Sequence, residues 1–255
     1  MTLQIETIPC LSDNYAYLAH DPESGETAVV DVPEAAPILK ALAEKGWRAS
    51  TVFLTHHHAD HVQGLSELLA AHDAKVVGAK ADTHRLPKLD MTVKEGDALE
   101  IGAERGTVID VSGHTVGHIA LHFPHSAVVF TADSLMALGC GRVFEGTMPQ
   151  MWESLSKLAA LPPETVICSG HEYTAANARF ALTIEPRNAA LISRAEAVNV
   201  ARSKGLPTVP STLADELATN PFLRASEPSL QAQIGMEGAA PAEVFAEVRR
   251  RKDSF

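Results

Sequence analysis

The chain is poor in aromatic residues (5% Phe, Trp and Tyr), poor in cysteine and short of positive charge. Its three cysteines, Cys10, Cys140 and Cys168, are widely spaced and odd in number. They give no disulfide framework and suit a reducing cytosol. No run of about 18 apolar residues occurs, so no membrane-spanning helix is expected. The opening Met1-Thr2-Leu3-Gln4-Ile5-Glu6 has no basic segment and no apolar signal core, and a cytoplasmic location is expected. Against 32 Asp and Glu stand 21 Lys and Arg, a formal charge of −11, which argues against a nucleic-acid partner. The imbalance is local: residues 1–178 hold 23 acidic and 11 basic residues, residues 179–255 hold 9 and 10. A small anionic substrate must therefore find local cations. Arg249-Arg250-Arg251-Lys252 is the obvious supply, unless that run is only a solvated helix end favoured by the macrodipole.

What is present is enough to bury a substantial core: 255 residues, 45% of them hydrophobic, suit one large domain with or without an appendage. Short apolar strands alternate with helical patterns. Tyr15–His20, Thr27–Asp31, Thr51–Leu54, Lys75–Gly78, Val108–Val111, Ile119–Phe123, Val128–Phe130 and Thr165–Cys168 read as strands. Ala35–Lys45, closed by Gly46, Val62–His72 and Met151–Ala160 read as helices. This order predicts a layered α/β domain with sheets inside and helices outside. After Thr174 only helices are expected, over Ala175–Ile184, Ala189–Lys204, Leu213–Ala218 and Pro241–Lys252. The expected organisation is a domain over 1–174 and a helical domain over 175–255.

Thr55-His56-His57-His58-Ala59-Asp60-His61 puts four histidines and an aspartate into seven positions directly after an apolar strand. On an extended segment side chains two apart share a face, so His56 and His58 point one way and His57 the other. Asp60 and His61 follow where a helix begins. A histidine-rich surface loop would not follow a buried-strand pattern or carry an interleaved carboxylate. Three more candidates, His114, Asp133 and His171, each stand just past a strand, where α/β folds gather their sites. The arithmetic suits two metals. His56, His58 and His114 can hold one ion and Asp60, His61 and His171 another, with Asp133 bridging. A water between two such ions would be a hydroxide at neutral pH, since one zinc alone lowers its pKa to about 7. Nitrogen-rich ligands suit zinc, and the carboxylates also admit iron or manganese. Asp31, ending a strand, is either a carboxylate orienting the ligand loop or a simple turn aspartate. His20, His57, His72, His84, His118, His122 and His125 have no ligand-like context and are read as structural.

Thr55–His61 matches T-H-x-H-x-D-H, and with His114, Asp133 and His171 in that order the chain resembles the metallo-β-lactamase fold superfamily. The resemblance implies an αββα sandwich with a dinuclear site on one edge, but no substrate. Leu11-Ser12-Asp13-Asn14-Tyr15, Gly139-Cys140-Gly141-Arg142-Val143-Phe144-Glu145-Gly146-Thr147 and Gly170-His171-Glu172-Tyr173-Thr174 narrow it. So do Asn220-Pro221-Phe222-Leu223-Arg224 and the basic run ending at Asp253. Together they resemble the glyoxalase II (hydroxyacylglutathione hydrolase) family nearly end to end. The resemblance implies hydrolysis of S-D-lactoylglutathione to D-lactate and glutathione by a metal-bridging hydroxide. Asp60 would serve as a ligand that also orients that hydroxide or accepts its proton.

It also implies that Arg142, Phe144, Tyr173, Arg249 and Lys252 hold the glutathione part. Arg142 replaces the family's usual lysine and Phe144 its usual tyrosine, so one hydroxyl contact is lost. The ligand expected is thus a small glutathione thioester, and a monomer is expected. The alternative is a single-iron glutathione persulfide dioxygenase of the same superfamily, matched through His56, His58, His114 and Asp133. The second ligand set and the C-terminal cations argue against it. A nucleic-acid-processing phosphodiesterase is disfavoured by charge, and a non-catalytic metal module by a ligand set that leaves room for water.

Overall fold

The protein is described over all 255 residues by a computed structural model. Its packing divides into two units, Met1–Asp110 with Val116–Ala132, and Val111–Thr115 with Asp133–Phe255.

The first unit is built on β1 (Gln4–Cys10), β2 (Asn14–His20), β3 (Thr27–Val30), α1 (Ala35–Lys45) and β4 (Ala49–Leu54). Then come α2 (Ala59–Val62), α3 (Leu65–Ala71), β5 (Lys75–Ala79) and β6 (Met91–Val93). The strands form one sheet in sequence order, antiparallel from β1 to β3 and parallel from β3 to β6. Leu18, Val29, Val52 and Val76 pack with Ile38 and Leu42 of α1 and Leu65 and Leu68 of α3. Their strand neighbours Tyr17, Val30, Phe53 and Val77 are buried as well. Burial on both faces is why these strands read as continuous apolar runs. A meander of β7 (Ala98–Ile101), β8 (Glu104–Asp110), β9 (Ile119–Phe123) and β10 (Val128–Ala132) meets the opposite face. There the Tyr17 and Phe130 rings lie 5.6 Å apart, and Phe123 meets Phe130 edge to face.

Two features depart from the sequence pattern. β1 has polar or half-exposed residues at most positions and carries Pro9, so no alternation marks it. It is an edge strand, where proline is tolerated. The single helix expected over Val62–His72 is broken into α2 and α3. Gly64 donates its N–H to Val32 O at 2.9 Å, and a Cβ there would lie 2.8 Å from Ala35 N. Close backbone approach forces the break.

The second unit opens with the hairpin β11 (Leu135–Met136) and β12 (Gly139–Cys140), followed by α4 (Met148–Ala159). α4 starts earlier than its apolar period indicates, because Thr147 and Gln150 form a capping box and Pro149 sits in the first turn. β13 (Val166–Ser169) pairs antiparallel with the two-residue β14 (Ser211–Thr212). Helices α5 (Thr174–Ile184), α6 (Ala189–Ser203), α7 (Leu213–Thr219), α8 (Pro228–Ile234) and α9 (Pro241–Asp253) make up the rest. α8 was not expected; it is short and set among proline- and serine-marked loops.

A buried carboxylate ties these helices to the hairpin. Glu216 of α7 accepts from Leu138 N at 2.8 Å, Asn220 Nδ2 at 3.0 Å and Ser211 Oγ at 2.7 Å, and pairs with Arg194 of α6. Asn220 Nδ2 also donates to Met136 O and Gly139 O. Removing one member leaves buried charge and a buried N–H unmatched. Glu216→Ala should therefore lower the unfolding free energy by about 3–5 kcal/mol in urea titrations. Disrupting the exposed Lys40–Glu44 pair, 3.8 Å apart, should change it by no more than about 0.5 kcal/mol.

Candidate metal centre

β3 and β4 are parallel with Val30 opposite Phe53, so Asp31, just past β3, and Thr55, just past β4, emerge close together. Asp31 adopts φ 57°, a left-handed conformation that aspartate tolerates better than most residues. Its buried carboxylate accepts Thr55 N and Thr55 Oγ1, both at 2.8 Å, and faces His61 Nδ1 at 2.7 Å. Asp31 is thus both the turn residue and the orienting carboxylate, the two roles the sequence left open. Asp31, His56 and His61 offer donor atoms within 4.8 Å of one another. The Asp31 oxygens are already occupied by these hydrogen bonds, so Asp31 stands behind the two histidines as their support.

Each histidine is fixed by one ring nitrogen. His56 Nδ1 is 3.0 Å from Thr55 Oγ1, whose own proton goes to Asp31. His61 Nδ1 donates to Asp31. In the second unit His114 Nδ1 donates to Arg142 O at 2.8 Å. Carboxylate and carbonyl oxygens only accept, so these assignments follow from the hydrogen-bond network. They put the lone pairs of His56, His61 and His114 on Nε2, in a form a metal binds, so these rings fit a divalent ion. Asp60 Oδ2 lies 3.9 Å from His61 Nε2 and is held by Asn14, whose Nδ2 donates to both Oδ2 and the Asp60 carbonyl at 3.0 Å. The His58 ring stands edge-on to His56, 4.8 Å away.

The second unit gathers the other three candidates. His114 Nε2 and His171 Nε2 lie 3.4 and 3.3 Å from the same oxygen, Asp133 Oδ2, and all three residues are buried. Gly113, at φ 154°, lets the chain pass Met151, whose Sδ would be 2.5 Å from a Cβ. Gly141 closes the cluster: a Cβ there would lie 1.9 Å from Asp133 O and 3.0 Å from His114 Nδ1. The His171 ring stacks on Tyr173 at 4.7 Å. Next to His171, Glu172 accepts Thr208 N at 2.8 Å and anchors that loop.

The five residues expected to grip a ligand differ in setting. Arg142, Phe144 and Tyr173 are exposed. Arg142 lies over the Phe144 ring at 5.7 Å, with Nε 3.8 Å from Asp253. Lys252 is half-buried, its ammonium over the rings of Phe180 and Phe255 and 3.5 Å from Ala176 O. Burial, with Arg249 and Arg179 nearby, holds its pKa below the usual lysine value. Arg249 is buried: it donates to Cys140 O at 3.1 Å and to Asp253 at 2.8 and 3.0 Å, and stacks on Phe222. Burial pushes the Cys140 thiol up to about 11, and the Cys168 thiol also rises on burial, so neither is a thiolate nucleophile at neutral pH.

Sequence reasoning missed Asn14 as the residue that holds Asp60. It also missed His118, which is fully buried and stacked on His56 at 4.6 Å and 14°. The position of His118 just before β9, whose Ile119 N donates to Thr55 O, is the signal that could have found it. Gly141→Ala should displace Asp133 and His114. Elemental analysis should show bound metal reduced at least tenfold after brief dialysis, an effect expected when ligand geometry is disturbed.

Comparison with known proteins adds to this geometry. Residues 15–171 match the profile described as the metallo-beta-lactamase superfamily, and residues 172–255 match the hydroxyacylglutathione hydrolase C-terminus. The chain is 64% identical, over all of both chains, to a hydroxyacylglutathione hydrolase of Cereibacter sphaeroides. Among solved structures it is similar to BLEG-1 B3 metallo-beta-lactamase, with TM-score 0.67 and 19% identity over 86% of this chain and 99% of that one. It also resembles ETHE1 from Myxococcus xanthus, with TM-score 0.64 and 25% identity over the whole of both chains. The fold is the α/β metallo-β-lactamase fold with a C-terminal helical region.

Proposed function

The chain belongs to the hydroxyacylglutathione hydrolase family of the metallo-β-lactamase superfamily, and from that premise we propose that it hydrolyses S-D-lactoylglutathione and related 2-hydroxyacylglutathiones to the hydroxy acid and glutathione. The observations that carry this are the convergence of His114 and His171 on one oxygen of Asp133 in the second unit and, in the first, a histidine loop whose rings are held in metal-binding tautomers. The persulfide dioxygenase alternative is not favoured, because the full-length identity and the C-terminal profile both point to the hydrolase.

In this reading His56, His58 and His114 would hold one divalent ion and Asp60, His61 and His171 a second, with Asp133 serving both; zinc is the favoured metal, and iron or manganese would also fit. When bound, such ions supply a hydroxide at neutral pH and polarise the thioester carbonyl. The chain's own residues do the rest. Asp31, Thr55 and Arg142 O fix the rings. Asp60, held at Oδ2 by Asn14, is the catalytic carboxylate that would orient the attacking hydroxide or accept the proton of the water it comes from. A carbon–oxygen bond forms, the carbon–sulfur bond breaks, and the electron pair leaves on sulfur. A thiol of pKa about 8.5 departs as thiolate without a general acid.

Arg142, Phe144, Tyr173, Arg249 and Lys252 make up the glutathione-binding group, with Arg249 contributing positive potential from its buried position. We place the metal-binding domain at 1–174 and the substrate-binding domain at 175–255. The two family profiles meeting at residues 171 and 172 support this, although the packing units divide elsewhere. No helix of the chain is long and apolar enough to cross a membrane. A monomeric, cytoplasmic enzyme acting on a small thioester, without nucleic-acid or membrane partners, completes the reading; three free cysteines and the charge of −11 support it.

Purified protein given S-D-lactoylglutathione should release thiol, followed with a thiol reagent. Chelator treatment should abolish release, and zinc should restore it. A metal-loaded chain that releases no thiol would end this reading. Phe144→Tyr should lower KM about two- to tenfold at unchanged kcat, the worth of one restored hydrogen bond of about 0.5–1.5 kcal/mol.

A further inference from the structure

His57 stands between His56 and His58 yet takes no part in the ligand set. Its Nδ1 donates to Asp82 Oδ2 at 2.9 Å. Asp82 is fully buried at the end of a short 3-10 turn, Lys80–Asp82, and its other oxygen accepts Arg85 Nε at 2.5 Å. Arg85 reaches on to donate a terminal N–H to Val116 O at 2.8 Å. Gly117 packs against the same aspartate, so closely that a Cβ would lie 3.0 Å from Asp82 Cβ. One residue further, His118 stacks on His56, and Ile119 N donates to Thr55 O at 3.1 Å. A single buried carboxylate and one guanidinium thus join the loop carrying His56, His58, Asp60 and His61 to the segment that begins two residues after His114.

We propose that Asp82 and Arg85 are positioning residues that clasp His57 and Val116 and thereby set how tightly the metal ligands are held. This rests on the reading that His56 and His58 bind an ion. The physical argument is the alternation of side chains on an extended backbone. Anchoring His57 on one side fixes the rotation of the backbone and so presents its two neighbours to the other side. A ligand loop must hold its geometry within about 0.5 Å to keep a metal well, and a residue tied down between two ligands is the most direct means to that. The buried Asp82 charge needs Arg85 as its counterion, so the two act together.

The test uses the zinc-loaded full chain and three variants, Asp82→Asn, Arg85→Met and Arg85→Lys. Zinc release into excess chelator is timed by elemental analysis. kcat and KM are measured with S-D-lactoylglutathione, and the melting temperature is taken on the metal-stripped chains. Asp82→Asn and Arg85→Met should release zinc about 10–100-fold faster than the parent, as loss of a ligand-orienting residue does. Their kcat should fall while KM stays within a factor of about two, since they touch no substrate. Arg85→Lys, which keeps the charge but loses the planar reach to Val116, should fall between. Stripped Arg85→Met, which leaves the buried Asp82 charge without its counterion, should melt somewhat below the stripped parent, and its faster zinc release is the effect that lowered stability alone does not supply. Zinc release unchanged in both Asp82→Asn and Arg85→Met would overturn the proposal, as would lowered melting of the stripped chains as the sole effect. If Asp82→Asn does not fold, Arg85→Met, at a partly exposed position, decides alone. Faster zinc release in variants of a parent that hydrolyses no thioester would uphold the clasp and reject only the substrate.

Discussion

One carboxylate, Asp31, fixes the geometry on which the metal loop depends. It is buried, and its two oxygens take three hydrogen bonds of 2.7 to 2.8 Å, two from Thr55 and one from His61. Burying an unpaired charge is prohibitive, so the fold tolerates Asp31 only while those donors are in place. The dependence is reciprocal. Thr55 Oγ1 can accept from His56 Nδ1 only because its own proton is committed to Asp31. Asp31 therefore sets the tautomer of His61 directly and that of His56 through one hydroxyl. The parallel pairing of β3 and β4 brings Asp31 and Thr55 together, so the sheet register is itself part of the site.

The three ring-orienting acceptors differ in charge. His61 is backed by a carboxylate, His56 by a hydroxyl and His114 by a backbone carbonyl. An anionic acceptor raises the basicity of the opposite ring nitrogen more than a neutral one does. His61 is therefore the strongest donor of the three, and an ion it helped to hold in the proposed arrangement would have the more electron-rich surroundings. That ion would also have the Asp60 carboxylate as a ligand. The other, held mainly by neutral imidazoles, would retain more Lewis acidity. In that proposed arrangement the two positions would be unequal, and the one held by His56, His58 and His114 would be better suited to polarising a carbonyl.

Most of this was legible in the sequence, for identifiable reasons. Buried parallel strands leave continuous apolar runs, and a ligand loop at a strand end leaves its residues in the chain order of the motif, so β4 and Thr55–His61 could be read directly. β1 could not, because an edge strand with one half-buried face carries little alternation. The break between α2 and α3 was hidden because Gly64 acts through close approach to Val32 and Ala35, a tertiary contact with no periodic trace. The same limit applies to the supporting residues. Asn14, Asp82 and His118 have ordinary neighbours in sequence, and their roles arise only from what the fold sets beside them. His57 was read as structural from the alternation of the loop, but its anchoring partner lies 25 positions away.

The cationic end of the second unit shows how a substituted ring can still order its neighbourhood. Asp253 Oδ1 draws Arg249 within 2.8 Å and Arg142 within 3.8 Å, so one carboxylate arranges two guanidiniums. Arg142 also lies 5.7 Å over Phe144, a contact worth about 0.5–1 kcal/mol at an exposed position. The hydroxyl that phenylalanine lacks would have contributed a similar amount, about 0.5–1.5 kcal/mol. The ring holds the neighbouring cation as a tyrosine ring also would, so the difference between the two is the hydroxyl alone. Arg142 keeps its charge outward, and the planar guanidinium matches a ring face better than an ammonium would. Arg142 and Phe144 thus form one contact pair that keeps a positive charge at the surface of a protein whose net charge is −11.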